Sequence, residues 1–365
     1  MPSTDFAQQL VQWFHHHGRK NLPWQQQPTP YRVWVSEIML QQTQVATVID
    51  YYQRFMQQLP TLEDLARAPQ DQVMQLWAGL GYYTRARNLH ACAQQVMQEH
   101  QGHFPIHSLD AMQSLPGIGP STAAAIIALS SNQRAVILDG NVKRVLARYA
   151  AVEGWPGKSA INKRLWQLAD QLTPADQAAA YTQAIMDLGA TLCTPKQPAC
   201  ERCPVAQGCQ AKRLGLARQL PTPKPKKKLP EQQRLFLLLI KEPRQLLLQK
   251  RPQQGIWGGL WSLPEFTSHA ELQNWLQLHY PGAQLAAQPD TGFRHTFSHY
   301  HLQIQPWQAQ LAATALQEPV TCYQPTSDSK GKMTAAEQLW YNLETEASPP
   351  GLPAPIQRLL KGLQK

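Results

Sequence analysis

Long apolar runs are missing from this sequence. No stretch of the 365 residues reaches the roughly 18 apolar residues that a membrane-spanning helix needs. Residues 1–14 also lack the apolar segment of a secretory signal peptide. Cysteine is scarce, and four of the six cysteines lie between residues 193 and 209, unlike the spread of a disulfide framework. These absences predict a cytoplasmic protein that does not bind a membrane.

Acidic residues are in short supply as well. The chain has 34 lysine and arginine residues against 24 aspartate and glutamate residues, a net charge of +10, which favours a polyanionic partner. Residues 1–218 hold 19 basic and 14 acidic residues, residues 219–230 hold four lysines and no acid, and residues 231–365 hold 11 and 10. The length suggests about two domains. The stretch 219–230, rich in proline and lysine, predicts a basic linker between them.

One stretch in the first half organises the chain. Residues 115–119 read Leu-Pro-Gly-Ile-Gly and precede an alanine-rich run. Gly117 and Gly119 permit a tight turn, and Pro120 suits the first position of a helix. The unpaired backbone N–H groups at such a helix start can bind a phosphate. A plain helical hairpin without a ligand is the alternative, because Pro-Gly-x-Gly turns occur in many proteins.

About twenty residues further on, residues 137–144 read Ile-Leu-Asp-Gly-Asn-Val-Lys-Arg. A candidate phosphate-binding helix start followed by the lone carboxylate of Asp139 indicates chemistry on a nucleic-acid backbone or sugar. The two motifs together resemble the helix-hairpin-helix DNA glycosylases. The resemblance implies that Asp139 is the catalytic aspartate and that Asn141 orients the site. The DNA contacts that it implies in this region are Gly117, Gly119, Ser121 and Lys143.

Residues 36–45 read Ser-Glu-Ile-Met-Leu-Gln-Gln-Thr-Gln-Val, with Glu37 a lone acid among apolar neighbours. In a partly dry pocket its pKa would rise, and it could act as a general acid near neutral pH. Spacing alone favours a solvated glutamate on a helix. The segment is similar to the signature of MutY-type adenine DNA glycosylases. That resemblance implies that Glu37 is the general acid and that Gln41 and Gln42 lie at the edge that intrudes into the duplex.

Two further segments carry candidates for contacts with DNA. Residues 80–88 read Leu-Gly-Tyr-Tyr-Thr-Arg-Ala-Arg-Asn, and two exposed tyrosines beside two arginines would suit base stacking and phosphate contact. Core packing is the alternative for the tyrosines. In the resembled family the first tyrosine of this motif intrudes beside the lesion, which implies that role for Tyr82. The same resemblance places Gln183 near the adenine pocket.

Four cysteines have the spacing C-x6-C-x2-C-x5-C, at Cys193, Cys200, Cys203 and Cys209. Four thiolates this close can bind a tetrahedral zinc ion or a [4Fe-4S] cluster. Zinc sites more often pair two Cys-x2-Cys units, and this segment has one. The spacing matches the iron–sulfur loop of endonuclease III and MutY. The resemblance therefore implies a [4Fe-4S] cluster in loop 193–209, with the structural role of ordering a basic loop against DNA.

The pattern changes in the second half. Residues 235–240 and 245–251 read as two buried strands joined by a turn, and residues 293–304 as one long strand with a polar bend. This part is α+β and resembles a Nudix-like domain. The Arg-Glu-x-x-Glu-Glu run that holds magnesium in active Nudix hydrolases is absent, so pyrophosphate cleavage is not expected. The residues that match the 8-oxoguanine-reading loop of MutY are Phe297, Ser298 and His299.

The resemblance implies a multidomain protein. An all-α helix-hairpin-helix glycosylase domain (1–218, hairpin at about 110–130) with its iron–sulfur cluster loop precedes an α+β Nudix-like domain (231–365). The implied protein is a bacterial, nucleoid-associated monomer that excises adenine opposite 8-oxoguanine or guanine in double-stranded DNA. Glycosylases that also cut the strand carry a lysine where this chain has Ser121, so no lyase activity is expected. The alternatives are a bifunctional endonuclease III-like enzyme, a non-catalytic scanning module and a nucleotide pyrophosphatase.

Overall fold

The computed structural model describes residues 3–225, 228–311, 337–344 and 350–363. The chain divides into two compact units, one formed by residues 1–68 and 87–226 and the other by residues 69–86 and 227–365. Among the described residues, no helix combines the length and the apolar character needed to cross a lipid bilayer.

The chain from Ser3 to Arg213 folds into helices joined by short loops. Side-chain caps account for several of the helix starts: Thr29 accepts the backbone N–H of Arg32, and Thr61 accepts that of Asp64. In chain order the helices are α1 (Ser3–His17), α2 (Pro30–Leu40), α3 (Val45–Gln58), α4 (Leu62–Arg67), α5 (Gln70–Trp77), α6 (Thr84–Glu99), α7 (Leu109–Gln113), α8 (Pro120–Ser131), α9 (Gly140–Tyr149), α10 (Ser159–Leu172), α11 (Ala178–Asp187) and α12 (Gln210–Arg213).

The central part of helix α8 is buried on every side. Residues 123–128, which are alanine or isoleucine, are all buried, and the helix packs against α2 and α11. A helix that is apolar all round belongs in a protein interior, and alanine side chains let neighbouring helices come close. Helix α8 is therefore the centre of the first unit, and it fixes α2, the helix that carries Glu37.

The turn between α7 and α8 has the predicted form. Gly117 has φ +76°, and a Cβ atom on it would lie 2.8 Å from the Cβ of Asn88, so only glycine fits both the backbone and the space. Gly119 is the N-cap of α8 and Pro120 its first residue, and no side chain caps the exposed N–H groups. The start of α8 thus keeps the free backbone donors that an anion needs.

The second unit is built on a mixed β-sheet. The strands are β1 (Glu231–Lys241), β2 (Gln245–Lys250), β3 (Trp261–Ser262), β4 (Glu265–Phe266), β5 (Gln284–Leu285), β6 (Phe293–Thr296), β7 (His301–Leu311) and β8 (Gln338–Asn342). The main order is β3-β2-β1-β7-β5, with β4 beside β1, β6 beside β7 and β8 beside β2. Strands β1 and β7 run parallel along their whole length. Helix α13 (His269–His279) covers the apolar core, and α14 (Ala354–Leu363) lies near the C-terminus.

The prediction of one long strand over residues 293–304 is wrong. The segment is an antiparallel hairpin in which β6 pairs with the start of β7. The backbone N–H of Phe297 donates to the carbonyl of Tyr300 at 2.9 Å, and Thr296 Oγ1 lies 3.0 Å from His301 Nδ1. The polar bend is therefore a complete reversal of the chain, and its tip carries Ser298 and His299.

Residues 69–86 make their contacts with the C-terminal part of the chain. Lys250 Nζ lies 3.0 Å from Asp71 Oδ2, and Gln70 Nε2 donates to Gln253 Oε1 at 2.9 Å. The Tyr83 hydroxyl donates to the carbonyl of Leu352 at 3.4 Å. Helix α5 and the loop after it thus belong to the second unit.

Candidate active site

Glu37 lies on α2 in a largely desolvated setting. Its neighbours Ser36 and Ile38 are buried, while Glu37 itself keeps partial exposure. Burial, and to a lesser extent the negative charge of Asp139, raise the pKa of Glu37 from 4.5 to about 7. Glu37 is therefore placed as a carboxylic acid that is still protonated near neutral pH, and not as a solvated helix residue.

Asp139 is the N-cap residue of α9. Its Oδ1 accepts the backbone N–H of Val142 at 2.7 Å. Burial, the largest effect, leaves the pKa of Asp139 above its ordinary value, while the backbone N–H groups of Val142 and Asn141 and the cations at 144 and 143 act in the opposite direction. Among the described residues, no group with that stabilising effect acts on Glu37. The ionised form of Asp139 thus has partners that the ionised form of Glu37 lacks there, an asymmetry of the kind that glycosidic cleavage uses.

Asn141 connects this site to the cysteine loop. Its Oδ1 accepts a hydrogen bond from Arg144 Nη2 at 2.8 Å. Arg144 also donates to the carbonyls of Gly189 and Cys193, at 2.6 and 2.7 Å. A Cβ atom on Gly189 would lie 2.7 Å from the Cβ of Asn141, so glycine is needed for this close approach. Arg144 and Gly189 were missed by sequence reasoning, because their partners are distant in the chain.

The hairpin helix supports the same region. Ser121 Oγ accepts the backbone N–H of Leu138 at 3.0 Å, which holds the residue directly before Asp139. Gln41, at the end of α2, donates from Nε2 to Thr122 Oγ1 at 3.4 Å. The remaining candidates of this region are more accessible: Gly117, Gly119 and Gln42 are exposed, and Lys143 is partly exposed.

The two tyrosines of residues 80–88 differ from each other. The expectation that both are exposed is wrong for Tyr83, which is 7% exposed, whereas Tyr82 is 49% exposed. The Tyr83 hydroxyl accepts the backbone N–H of Gly79 at 3.2 Å. Tyr82 has φ +48°, and the Arg85 guanidinium lies 5.5 Å from its ring centroid. Tyr82 is the tyrosine available for stacking on a base.

Gln183 lies on α11 in a buried polar cluster. Its Nε2 donates to Oδ1 of the fully buried Asp187 at 3.0 Å. Arg19 donates to the same carboxylate from its backbone N–H at 2.8 Å and from Nη2 at 2.6 Å. Because the NH₂ group of the Gln183 amide donates to Asp187, the carbonyl oxygen of that amide points away from the carboxylate. Sequence reasoning found Gln183 but missed Arg19 and Asp187.

The predicted lesion-reading residues share the tip of the β6–β7 hairpin. Ser298 and His299 are exposed, and Phe297 is partly buried. Ser298 Oγ lies 3.4 Å from His299 Nδ1. The Phe297 ring stacks on Tyr300, with centroids 4.7 Å apart. The exposed side chains of Ser298 and His299 thus lie next to the stacked rings of Phe297 and Tyr300.

The four cysteines line one cavity, together with Arg148 and Lys212. Burial, and to a lesser extent the neighbouring thiols, raise the pKa of Cys203 to about 12, so four thiolates here require a cationic group among them. In the described part of the chain no three His, Cys, Asp or Glu side chains are arranged to hold a metal ion. The four cysteines surround one shared space, as the thiolate ligands of an iron–sulfur cluster do.

Comparison with known proteins identifies the chain. Residues 35–171 match the HhH-GPD superfamily of base excision DNA repair proteins, residues 193–209 the iron–sulfur binding domain of endonuclease III, and residues 235–362 the NUDIX domain. The adenine DNA glycosylase of Buchnera aphidicola subsp. Schizaphis graminum is 36% identical over 356 residues, with 98% of each chain covered. The chain belongs to the adenine DNA glycosylases. The human adenine DNA glycosylase is 35% identical over 382 residues, which cover 88% of this chain and 69% of the human one.

The fold of the glycosylase agrees with this membership. A thermostable thymine-DNA glycosylase of known structure has a TM-score of 0.51 and 27% identity, covering 58% of this chain and 97% of its own. The predicted fold class, a helix-hairpin-helix unit followed by a Nudix-like domain, is confirmed. The predicted [4Fe-4S] cofactor is confirmed as well, since loop 193–209 matches an iron–sulfur binding domain. The glycosylase acts on DNA in base excision repair.

Arg148 provides a test of how the glycosylase holds this loop. It is 2% exposed and donates from Nε to the carbonyl of Leu220 at 2.7 Å and from its Nη atoms to those of Thr194 at 2.8 Å and Pro195 at 3.0 Å. Nη1 also lies 3.3 Å from Cys193 Sγ. Arg148→Met keeps the aliphatic stem but leaves these acceptors without donors, and we expect a loss of about 3 kcal/mol or more in unfolding free energy.

Urea unfolding and the iron content per chain measure the effect of Arg148→Met. Arg144→Met is the matched control, because its side chain bonds the same carbonyl of Cys193 but does not reach Leu220. We expect the smaller loss of stability in the control. Full iron content and unchanged unfolding in Arg148→Met would contradict the role given to Arg148.

Proposed function

We propose that this glycosylase hydrolyses the N-glycosidic bond of adenine paired with 8-oxoguanine or with guanine, and that it leaves the DNA strand intact. The observation that carries the proposal is the pair of carboxyl groups with opposed surroundings, Glu37 desolvated and Asp139 surrounded by donors and cations. Both come from one chain, so a single copy suffices, and the proposed active species is a monomer.

The chemistry follows from these two groups. The adenine must leave the base stack, because its glycosidic bond is shielded in the duplex. Glu37 then donates its proton to a ring nitrogen of the base, which makes the base a better leaving group. As the bond between C1′ and nitrogen breaks, the electron pair goes to the base and positive charge develops on the sugar. Ionised Asp139 stabilises that charge, water adds to C1′, and the proton released from water returns to the Glu37 carboxylate.

The proposal excludes strand cleavage on chemical grounds. A lyase step needs an amine that forms a Schiff base with the sugar. At the position where bifunctional enzymes of the resembled superfamily carry lysine, this chain has Ser121, and its hydroxyl is engaged by the backbone N–H of Leu138. Ser121 thus supports the Asp139 turn and supplies no amine.

Recognition of the opposite base is assigned to the hairpin tip. 8-Oxoguanine differs from guanine in carrying a hydrogen on N7 and an oxygen on C8. The exposed Ser298 hydroxyl can accept from that N7–H, while Phe297 and His299 fix the position of the tip. This assignment is supported by the shared location of the three side chains on one hairpin.

A single-turnover assay tests the proposal with duplexes that contain one adenine opposite 8-oxoguanine, guanine or thymine. We expect excision opposite 8-oxoguanine to be faster than opposite guanine, and no excision opposite thymine. Strand breaks should appear only after alkali, and borohydride should trap no covalent adduct. Breaks without alkali, together with a trapped adduct, would show a lyase and contradict the role given to Ser121.

A further inference from the structure

Trp257 occupies an unusual backbone position in the second unit. It is 8% exposed and has φ +57°, a left-handed conformation that a bulky residue adopts only when its surroundings impose it. The loop around it is closely packed, since a Cβ atom on Gly258 would lie 2.3 Å from the carbonyl oxygen of Gln253. The backbone N–H of Leu260 donates to the carbonyl of Trp257 at 3.0 Å. Strain of this kind at a buried aromatic residue indicates a function beyond filling the core.

A partly exposed ionic group braces this loop. Arg251 Nη1 lies 2.6 Å from Glu265 Oε2, and Arg234 Nε lies 3.2 Å from Glu265 Oε1. Arg251 also donates from Nε to the carbonyl of Ile256 at 2.9 Å, and its guanidinium lies 5.6 Å from the Trp257 ring centroid. Two arginines thus pair with the Glu265 carboxylate, and one of them, Arg251, also contacts the loop backbone and the Trp257 ring.

Trp257 also contacts the hairpin tip. Its ring centroid lies 5.5 Å from that of Phe297 and 6.1 Å from that of His295. His295 in turn meets Phe297 edge-on at 4.7 Å, and Tyr300 stacks on the same phenyl ring. Among the described residues, four aromatic rings lie against Phe297, those of His295, His299, Tyr300 and Trp257, and of these Trp257 comes from outside the hairpin. The residues directly after it, Ser298 and His299, are exposed.

We propose that Trp257 is a positioning residue for discrimination between 8-oxoguanine and guanine. The inference rests on the proposed function of the hairpin tip. A serine hydroxyl both donates and accepts, so on a mobile tip Ser298 would pair with the N7 acceptor of guanine as readily as with the N7–H of 8-oxoguanine. Selectivity then requires that the tip be held in one conformation, in which the position of Ser298 and, through His299 Nδ1 at 3.4 Å from Ser298 Oγ, the orientation of its hydroxyl are fixed. The braced indole fixes it through the Phe297 ring.

The test compares four variants of the full-length, cluster-loaded protein. Trp257→Leu removes the aromatic platform, Trp257→Phe keeps a smaller ring, and Ser298→Ala removes the proposed reading group. Trp261→Leu is the matched control, because Trp261 lies nearby on β3, and among the described residues its ring interaction is with Lys250. The readout is the ratio of single-turnover excision rates for adenine opposite 8-oxoguanine and opposite guanine, at subsaturating enzyme.

We expect Trp257→Leu to lower this ratio by about fivefold to tenfold, in the range of a lost aromatic contact, with the rate opposite guanine nearly unchanged. Trp257→Phe should keep most of the wild-type ratio, and Trp261→Leu should leave the ratio unchanged. Equal slowing on both duplexes in Trp257→Leu would show general support of the fold and overturn the inference. The rate opposite guanine and the melting temperature reveal a variant that fails to fold.

The Ser298→Ala variant separates the two proposals. If Ser298→Ala lowers the ratio while Trp257→Leu leaves the ratio unchanged, the hairpin tip reads the lesion, and only the inference about Trp257 fails. If Ser298→Ala keeps the ratio, the proposed role of the serine fails. In that case a lowered ratio in Trp257→Leu would still support positioning, through Phe297 or His299.

Discussion

Replacement of Glu37 by glutamine is expected to slow adenine excision by about a thousandfold and, at pH 8, to make the folded protein more stable. Glutamine has nearly the same shape, but it has no proton to give to the base. The gain in stability comes from the raised pKa of Glu37, about 7 against an ordinary 4.5. Above pH 7 the wild-type fold must hold a poorly solvated carboxylate next to Asp139, and the variant does not.

The sign of the pH dependence follows from the direction of the shift. Because the pKa of Glu37 is higher in the folded state, its contribution to stability is fully present below about pH 4.5 and is lost as the pH rises through about 7. We therefore expect Glu37→Gln to exceed the wild type by about 1 to 3 kcal/mol at pH 8 and to differ little from it at pH 4.5. Wild-type excision should decline through the same upper range, since the protonated acid is the active form.

Urea unfolding at the two pH values and single-turnover excision between pH 5.5 and pH 9 would measure both effects of Glu37→Gln. Gln42→Ala is a suitable control, because Gln42 is an exposed residue close in sequence that does not titrate. It should keep the pH dependence of stability. A Glu37→Gln protein that excises adenine at the wild-type rate would remove Glu37 from the mechanism.

Replacement of Asp139 is expected to have two separable effects, one on the excision rate and one on stability. Asp139 is both the proposed anion of the active site and the N-cap of α9. Asp139→Asn keeps an oxygen that can accept the backbone N–H of Val142, whereas Asp139→Ala loses it. Both variants lose the negative charge, so we expect both to slow excision by about a thousandfold. Only alanine should destabilise the helix start, by about 1 kcal/mol relative to asparagine.

This comparison uses two neutral variants, so the difference in stability reports the cap and not the charge. Thermal unfolding of both proteins, with single-turnover excision on one duplex, would give the two numbers. Equal stability of the asparagine and alanine variants would contradict the capping role. Substantial activity in the asparagine variant would contradict the electrostatic one.

The local motifs of the first half could be predicted because their physics is local. The conformation of a Gly-x-Gly turn that precedes a proline and an alanine-rich helix depends mainly on those residues themselves. The structure accordingly has the expected tight turn at Gly117 and the expected helix start at Pro120. Glu37 was harder, since the spacing of a lone acid on an apolar helix favours a solvated glutamate. Its surroundings are set by packing, which the local pattern does not contain.

Other features depend on partners far away in the chain. Arg19 and Asp187 are separated by 168 positions, and neither has a local signal that names the other. Tyr82 and Tyr83 are adjacent and chemically alike, yet the loop conformation exposes one and buries the other. Residues 293–304 were predicted as one long strand with a polar bend, whereas the bend is a complete reversal of the chain. The sequence of the bend has no Asn-Gly or Asp-Gly pair that would mark a tight hairpin turn.

The alanine-rich centre of α8 limits which point mutations the gene for this protein can tolerate. A single-base change at the first or second position of an alanine codon yields valine, threonine, serine, proline, glycine, aspartate or glutamate. At a position enclosed on every side, each of these adds volume, brings a polar or charged group, or weakens the helix. Residues 123–125 and Ala128 are such positions. Changes at the first two bases of these codons are therefore poorly tolerated, and they are point mutations of the kind that a base excision repair enzyme serves to prevent.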